Sequence, residues 1–392
     1  MKLFSFCSGL IYGAMKKSVT LTLLAAALVA LASAAGNPLP PDSTLRRMAA
    51  QMLMVGFRGD TVDENSDAAR YVRDLGVGAI ILFDIDLTGD ATLGSRNITS
   101  RDKLEQTTAR LRGWSRTPLL IALDQEGGRV ARLKPQYGFT LTVSAASLGR
   151  AANADTTRHY AALIADDLAR SGVNVNLAPV VDLHDPLCPP LGGIDRCFSA
   201  NADSVAWHAG IFIDEHHRHG VLTTLKHFPG HGHAHGDSHW GLVDITSTWT
   251  DDDLQPFQTL IDNHRADIIM TAHVFLRDID PDYPATLSRD IIDGLLRKRL
   301  HYDGVVLSDD MYMQGIIDNF DIDNAIVMAI NAGVDMLCVG NNISTGFEAD
   351  RPFRLVDLIV NAVRDGRIPF ERIIEANARI ARLKHTPLLE HR

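Results

Sequence analysis

Cysteine is scarce in this chain, 4 in 392 residues, too few to build a fold from disulfides. Positive charge is short as well: 38 Lys and Arg stand against 48 Asp and Glu, a net charge of −10. A nucleic-acid-binding surface needs clustered excess positive charge, so no nucleic-acid partner is expected. After residue 42 there is no low-complexity linker and no repeat of fixed period. What is present is 46% hydrophobic and 22% charged residues, a composition that buries a substantial core and is not that of a disordered chain.

The N-terminus is the exception. From Met15 the chain reads two lysines, an apolar run Val19–Leu31, then Ala32-Ser33-Ala34. A basic start, a short apolar stretch and small residues before a cut predict a secretory signal peptide over residues 1–35, with Met15 a candidate start. The run falls short of the roughly 20 residues of a spanning helix, the rival reading. Cutting after residue 35 removes three lysines and no acid and leaves a net charge of −13. The mature protein is therefore expected outside the cytoplasm, periplasmic or extracellular, without stable membrane insertion. Export permits disulfides, and Cys188 and Cys197 bracket a loop rich in Pro and Gly that one bridge could close. Cys338, in the apolar run MLCV, reads as a buried free thiol.

Beyond the signal segment, short apolar runs alternate with stretches of helical spacing. The runs are Met52–Phe57, Val77–Phe83, Pro118–Leu123, Val173–Leu183, Val221–Leu225, Ile268–Met270, Val305–Leu307 and Met336–Val339. They are nearly continuous in Val, Ile and Leu, as strands covered on both faces should be. Helical spacing marks Thr157–Arg170, Val205–His217, Asp253–Asn263, Ile291–Leu300 and Asp323–Ala332. Eight strands alternating with helices predict an α/β fold, a (β/α)8 TIM barrel forming one domain over residues 42–388. An open doubly wound sheet is the other fold such alternation can make.

In such a barrel, functional groups gather at the C-terminal ends of strands. Ionisable residues follow the runs repeatedly: Asp124-Gln125-Glu126, Asp182, Lys226-His227, His273 and Asp309-Asp310. One acid at a strand end can simply cap the next helix. Five such ends outline a site. The segment KHFPGHGHAHGDSH, Lys226–His239, holds five of the 16 histidines, interleaved with glycine that would let it move. Its chemistry reads two ways: a zinc site using His231, His233, His235 and Asp237, or proton transfer by His239 with Asp237 as its partner. A solvated, incidentally His-rich loop is the third reading.

KHFPGHG followed by DSH resembles the signature of glycoside hydrolase family 3, in its β-N-acetylglucosaminidase branch. DQEGGRVARL at Asp124–Leu133, DRCFS at Asp195–Ser199, MTAHV at Met270–Val274, PATLS at Pro284–Ser288 and GVVLSDDM at Gly304–Met311 agree in order. The resemblance spans roughly residues 45–385. It implies Asp309 as the nucleophile of a retaining mechanism, with Asp310 its neighbouring rival, and His239 as acid/base paired with Asp237. Histidine, with an ordinary pKa of about 6.5, can donate a proton and then accept one near neutrality. It further implies that Asp124, Arg132, Arg196, Lys226 and His227 bind sugar, while His273 is expected to line the pocket near the nucleophile. Glu126 could instead be structural. Cys197 departs from the serine common in the family.

The expected activity is hydrolysis of terminal β-linked N-acetylglucosamine from peptidoglycan fragments or chitooligosaccharides, with no metal or organic cofactor. A broader β-glycosidase, a phosphorylase on the same barrel and a zinc-dependent hydrolase are the enzyme alternatives, and a saccharide-binding protein without turnover is the non-enzyme one.

Overall fold

The computed structural model describes residues 39–89, 91–238, 241–343 and 346–390. The expected signal segment lies outside them. Eight strands form the centre: β1 Leu53–Gly56, β2 Ala79–Ile81, β3 Leu120–Leu123, β4 Val175–Asn176, β5 Leu222–Phe228, β6 Ile268–Thr271, β7 Val305–Asp310 and β8 Met336–Val339. Neighbours pair parallel in chain order, and β8 closes on β1. That closure makes the expected (β/α)8 barrel and rules out the open sheet. Each apolar run supplies one strand.

The runs and strands differ where polar chemistry intrudes. The run Val173–Leu183 gives a ladder only at Val175–Asn176 and an isolated bridge from Val180 to Lys226. Pro179 between them has no N–H to offer a ladder. Conversely, β5 extends through Lys226 and His227 to Phe228, and β7 runs on to Asp310. Both strands carry ionisable side chains inside the barrel's upper end, where apolar periodicity alone would have stopped them.

Helices cover the outside: α1 Asp42–Gln51, α2 Arg101–Trp114, α3 Ala154–Arg170, α4 Ala202–Arg218, α5 Gln255–Asp262, α6 Ile322–Ala332, α7 Arg351–Arg364 and α8 Phe370–Lys384, with wider-turn helices at Arg70–Leu75 and Asp290–Arg299. Their starts follow capping chemistry: the side chains of Ser100, Asn153, Asn201 and Asp321 accept the N–H three residues on. The strands are buried along β1, β2, β3, β6 and β8, so the core is one continuous cluster. Among the described residues, no helix is long and apolar enough to cross a membrane.

The cysteine expectation is corrected. Cys188 and Cys197 are free, buried thiols, as is Cys338. Hydrogen bonding closes the intervening loop instead: Gly193 N–H donates to the Cys188 carbonyl at 2.9 Å, Arg196 N–H to Leu191 at 3.1 Å, and Arg196 Nη1 to Pro190 at 2.9 Å. The Cys188 thiol itself points at the His231 carbonyl, 3.4 Å away, and burial pushes its pKa up to about 12.

Candidate active site

The segment DQEGGRVAR explains how two distant positions meet. After β3 the chain folds back as a short antiparallel hairpin, Gln125–Gly127 against Val130–Ala131. Gly127 and Gly128 turn it at φ +98° and +63°, a region that excludes most side chains. The Gln125 side chain locks the return, accepting the N–H groups of Arg132 at 2.8 Å and Leu133 at 2.9 Å. Arg132 thereby reaches Asp124, its Nη2 donating to Oδ2 at 3.1 Å.

Lys226, on β5, stands between two carboxylates. Its Nζ lies 2.9 Å from Asp124 Oδ1 and 2.7 Å from Glu126 Oε1. Arg196, from the β4–α4 loop, takes Glu126 in a two-point fork at 2.8 and 2.7 Å. Burial alone would raise the Asp124 carboxyl, but Lys226 and Arg132 outweigh it and hold the group well below the ordinary carboxylate range. The same contest, with Arg196 and Lys226 prevailing over burial, takes Glu126 down to about 2. Both acids are ionised at neutral pH, and the cluster joins two anions to three cations.

His227 follows Lys226 and is held from below. Its Nδ1 lies 2.7 Å from Asp182 Oδ2, and its backbone N–H donates to the same carboxylate at 3.1 and 3.2 Å. Asp182 also accepts the His231 N–H at 2.7 Å, so one acid roots both the β5 end and the loop that follows. With Nδ1–H on the carboxylate, Nε2 is left as an acceptor facing Arg196 Nη2 at 3.5 Å. Burial would raise Asp182, yet His227 and His231 together pull it below its usual range.

Asp309 and Asp310 end β7 and separate by what they hold. Asp310 commits both oxygens to main chain, accepting Tyr312 N–H at 3.0 Å and Gly340 N–H at 3.1 Å. Burial, with Asp309 adjacent, pushes its pKa up to about 6. Asp309 accepts the Asp310 N–H at 2.8 Å and lines a cavity of about 510 Å³ together with Asp124, Arg132, Arg196, Lys226, His227 and Asp237. A smaller adjoining hollow again brings Asp309, Asp237, His227 and Arg196 together. The volume suits a small polar ligand with its immediate neighbour. A larger groove of about 820 Å³ opens elsewhere, between the Asp290–Arg299 helix, α6 and α8, but holds none of these groups. Size therefore does not mark the site; converging chemistry does.

Six of the sugar-site and catalytic positions expected from sequence, together with Asp237, thus share one cavity. His239 lies outside the described residues. His273 is a correction: it is buried behind the strand end, not among the residues lining the cavity. Its Nε2 donates to the Asp310 carbonyl at 3.0 Å and its Nδ1 meets Thr286 Oγ1 at 2.9 Å, so it supports the β7 terminus. The donors considered for zinc disperse: His233 pairs with Asp253 at 2.9 Å, His235 with Asp185 at 3.2 Å, and His231 reaches Ser238 at 3.3 Å. Among the described residues, no group of three or more His, Cys, Asp or Glu side chains is arranged to hold a metal. Glu126 and Asp182 belong to the strand-end groups that outline the site in the sequence, but neither carries a binding or catalytic role there. Their position at strand ends was visible, but their partners lie 70 and 45 residues away and only the fold joins them.

The glycosyl hydrolase family 3 N-terminal domain matches residues 44–383. A β-hexosaminidase of Idiomarina loihiensis is 37% identical over 257 residues, 64% of this chain and 76% of that protein. The solved glycoside hydrolase family 3 β-N-acetylglucosaminidase of Paenibacillus sp. FPU-7 superposes with a TM-score of 0.78 at 33% identity, over 87% of this chain. This chain spans 62% of that structure's length. The β-N-acetylhexosaminidase of Beutenbergia cavernae is similar over 90% of this chain and all of its own, at 28% identity and a TM-score of 0.76.

Proposed function

The chain belongs to glycosyl hydrolase family 3 and is a glycoside hydrolase, and from that premise we propose a retaining β-N-acetylhexosaminidase that removes terminal β-linked N-acetylglucosamine. The observation that carries this is the meeting of Asp309 and Asp237 in one cavity with the Asp124–Arg132–Lys226–Glu126–Arg196 cluster. A terminal sugar needs a pocket whose floor offers both acceptors and donors to hydroxyl groups. Ionised Asp124 accepts from them, and Arg132, Lys226 and Arg196 donate.

In the first step an Asp309 oxygen bonds to the anomeric carbon while the glycosidic carbon–oxygen bond breaks. His239 gives its proton to the departing oxygen, and Asp237 stabilises the imidazole pair. In the second step water attacks the same carbon, its proton passes to His239, and Asp309 is released. Two inversions leave the anomeric configuration unchanged. Asp310 is unsuited to attack because both its oxygens serve main-chain N–H groups.

The signal segment supports export, and peptidoglycan fragments or chitooligosaccharides are the β-linked N-acetylglucosamine sources available there. The test is release of the chromophore from an aryl β-N-acetylglucosaminide by the mature protein. Turnover that persists in EDTA and does not depend on phosphate is the expected result. Loss in EDTA would favour a zinc hydrolase, dependence on phosphate a phosphorylase, and no turnover a binding protein.

A further inference from the structure

The cavity is graded by depth. Buried polar groups lie deep in it, Lys226 only 2% exposed, beside buried apolar side chains such as Leu177 and Met270, whereas Leu87 is 57% exposed. Ile85 and Ile343 also line it. Among the described residues, Leu87 is the one exposed large apolar side chain that also lines this cavity. An isolated exposed leucine ordinarily needs no explanation. This one sits on a loop that is built to be rigid.

Buried Arg96 is the clamp. Its Nε donates to the Phe57 carbonyl at 3.0 Å, its Nη2 to Asn341 at 2.8 Å, and its Nη1 to Asn342 Oδ1 at 2.7 Å and Asp86 Oδ1 at 3.0 Å. Asn342 then holds the loop directly: Oδ1 accepts the Leu87 N–H and Nδ2 donates to the Ile85 carbonyl, both at 2.9 Å. The ends of β1 and β8 thus fix the main chain on either side of Asp86. Fixing an apolar side chain in water costs conformational freedom and gains nothing unless something covers it. Of the polar groups nearby, Asp86 and Asn342 are engaged in the clamp, and the half-exposed Arg58 is turned onto Asp86, its Nε donating to Oδ2 at 2.5 Å. A group packing on the side of Ile85, Leu87 and Ile343 finds apolar contact.

We propose that Ile85, Leu87 and Ile343 form a preorganised apolar wall against which the carbon skeleton of the leaving group packs, so that turnover rises with the apolar surface the aglycone presents. This rests on the glycosidase reading above: with the terminal sugar on the polar floor, the aglycone leaves through the mouth. Leu87 is then a specificity-determining residue for the group released.

A series of alkyl β-N-acetylglucosaminides from methyl to hexyl tests it, since these leaving groups have nearly the same acidity and differ in apolar surface. In the wild type kcat/KM should climb about two- to fourfold per added methylene over the first few carbons, the range for partial to full burial of each. Leu87→Ser should flatten the climb, and Leu87→Met should restore most of it. Leu141→Ser, at an exposed leucine outside the cavity, should keep the wild-type slope. A flat series in the wild type, or equal slopes in wild type and Leu87→Ser, would overturn the wall. Absence of turnover on every glycoside including aryl ones would instead overturn the hydrolase reading on which it depends.

Discussion

Glu126 touches no expected catalytic group, yet it holds two of the cations that line the cavity. Glu126→Gln keeps the shape and removes the charge, leaving one neutral amide oxygen where Arg196 and Lys226 now share a carboxylate. Losing one charged hydrogen bond of this kind should raise KM about 10- to 100-fold with a smaller effect on kcat, measurable by steady-state kinetics. Stability carries a second signature. The folded pKa of Glu126 lies below its ordinary 4.5, at about 2. Its contribution is therefore present above pH about 4.5 and lost as pH falls toward about 2, on the order of 3 kcal/mol. Denaturant unfolding across that window should show a shallower acid loss in the Gln variant than in the wild type. Single residues were unevenly legible in the sequence. Asp124, Lys226 and Asp309 stand at strand ends within motifs. Glu126 and Asp182 gain their roles from partners brought by other strands, and His273 carries the same residue type and placement as a pocket histidine but is turned into the core.

At the scale of elements, the loop after β5 uses glycine for close approach. A Cβ on Gly232 would stand 1.9 Å from the Leu183 carbonyl oxygen, and one on Gly230 2.7 Å from Asp253 Cβ. Glycine enrichment suggested mobility from the sequence; here it lets the loop pack hard against the β4 exit and the turn before α5. Gly232→Ala should push the loop outward, displacing Asp237 from the cavity. The expected outcome is a fall in kcat of at least about 10²-fold, the scale of a misplaced acid/base, with KM less affected. An unchanged kcat would mean the loop finds its place without that contact. Apolar runs located all eight strands because a doubly covered parallel strand has little choice but to be apolar. They overran β2 and β4, the latter where Pro179 interrupts the ladder, and stopped short of β5 and β7, where the interior ends in charged groups that need no apolar continuation.

The whole barrel divides its buried charge by face. At the ends opposite the cavity, Asp335, just before β8, is fully buried and met by Arg297 Nη2 at 2.7 Å, Arg372 Nη2 at 2.5 Å and Arg379 Nη1 at 3.3 Å. It also accepts the Val306 N–H at 3.0 Å, tying β7 to β8. Asp335→Ala leaves three guanidinium groups without their shared anion and should cost about 3–5 kcal/mol of unfolding free energy. Activity below the new melting temperature should hold at the wild-type kcat/KM, because the upper face is built by other contacts. A large drop in kcat/KM at full folding would show that the two faces are coupled.

In the proposed mechanism Asp309, and not Asp310, bonds to the sugar. A fluorinated N-acetylglucosaminyl donor that slows the second step should leave the glycosyl group on the enzyme, and peptide mass spectrometry reads where. The expected result is one sugar per chain on Asp309, abolished in Asp309→Asn. A label on Asp310, or turnover through no covalent adduct at all, would contradict it.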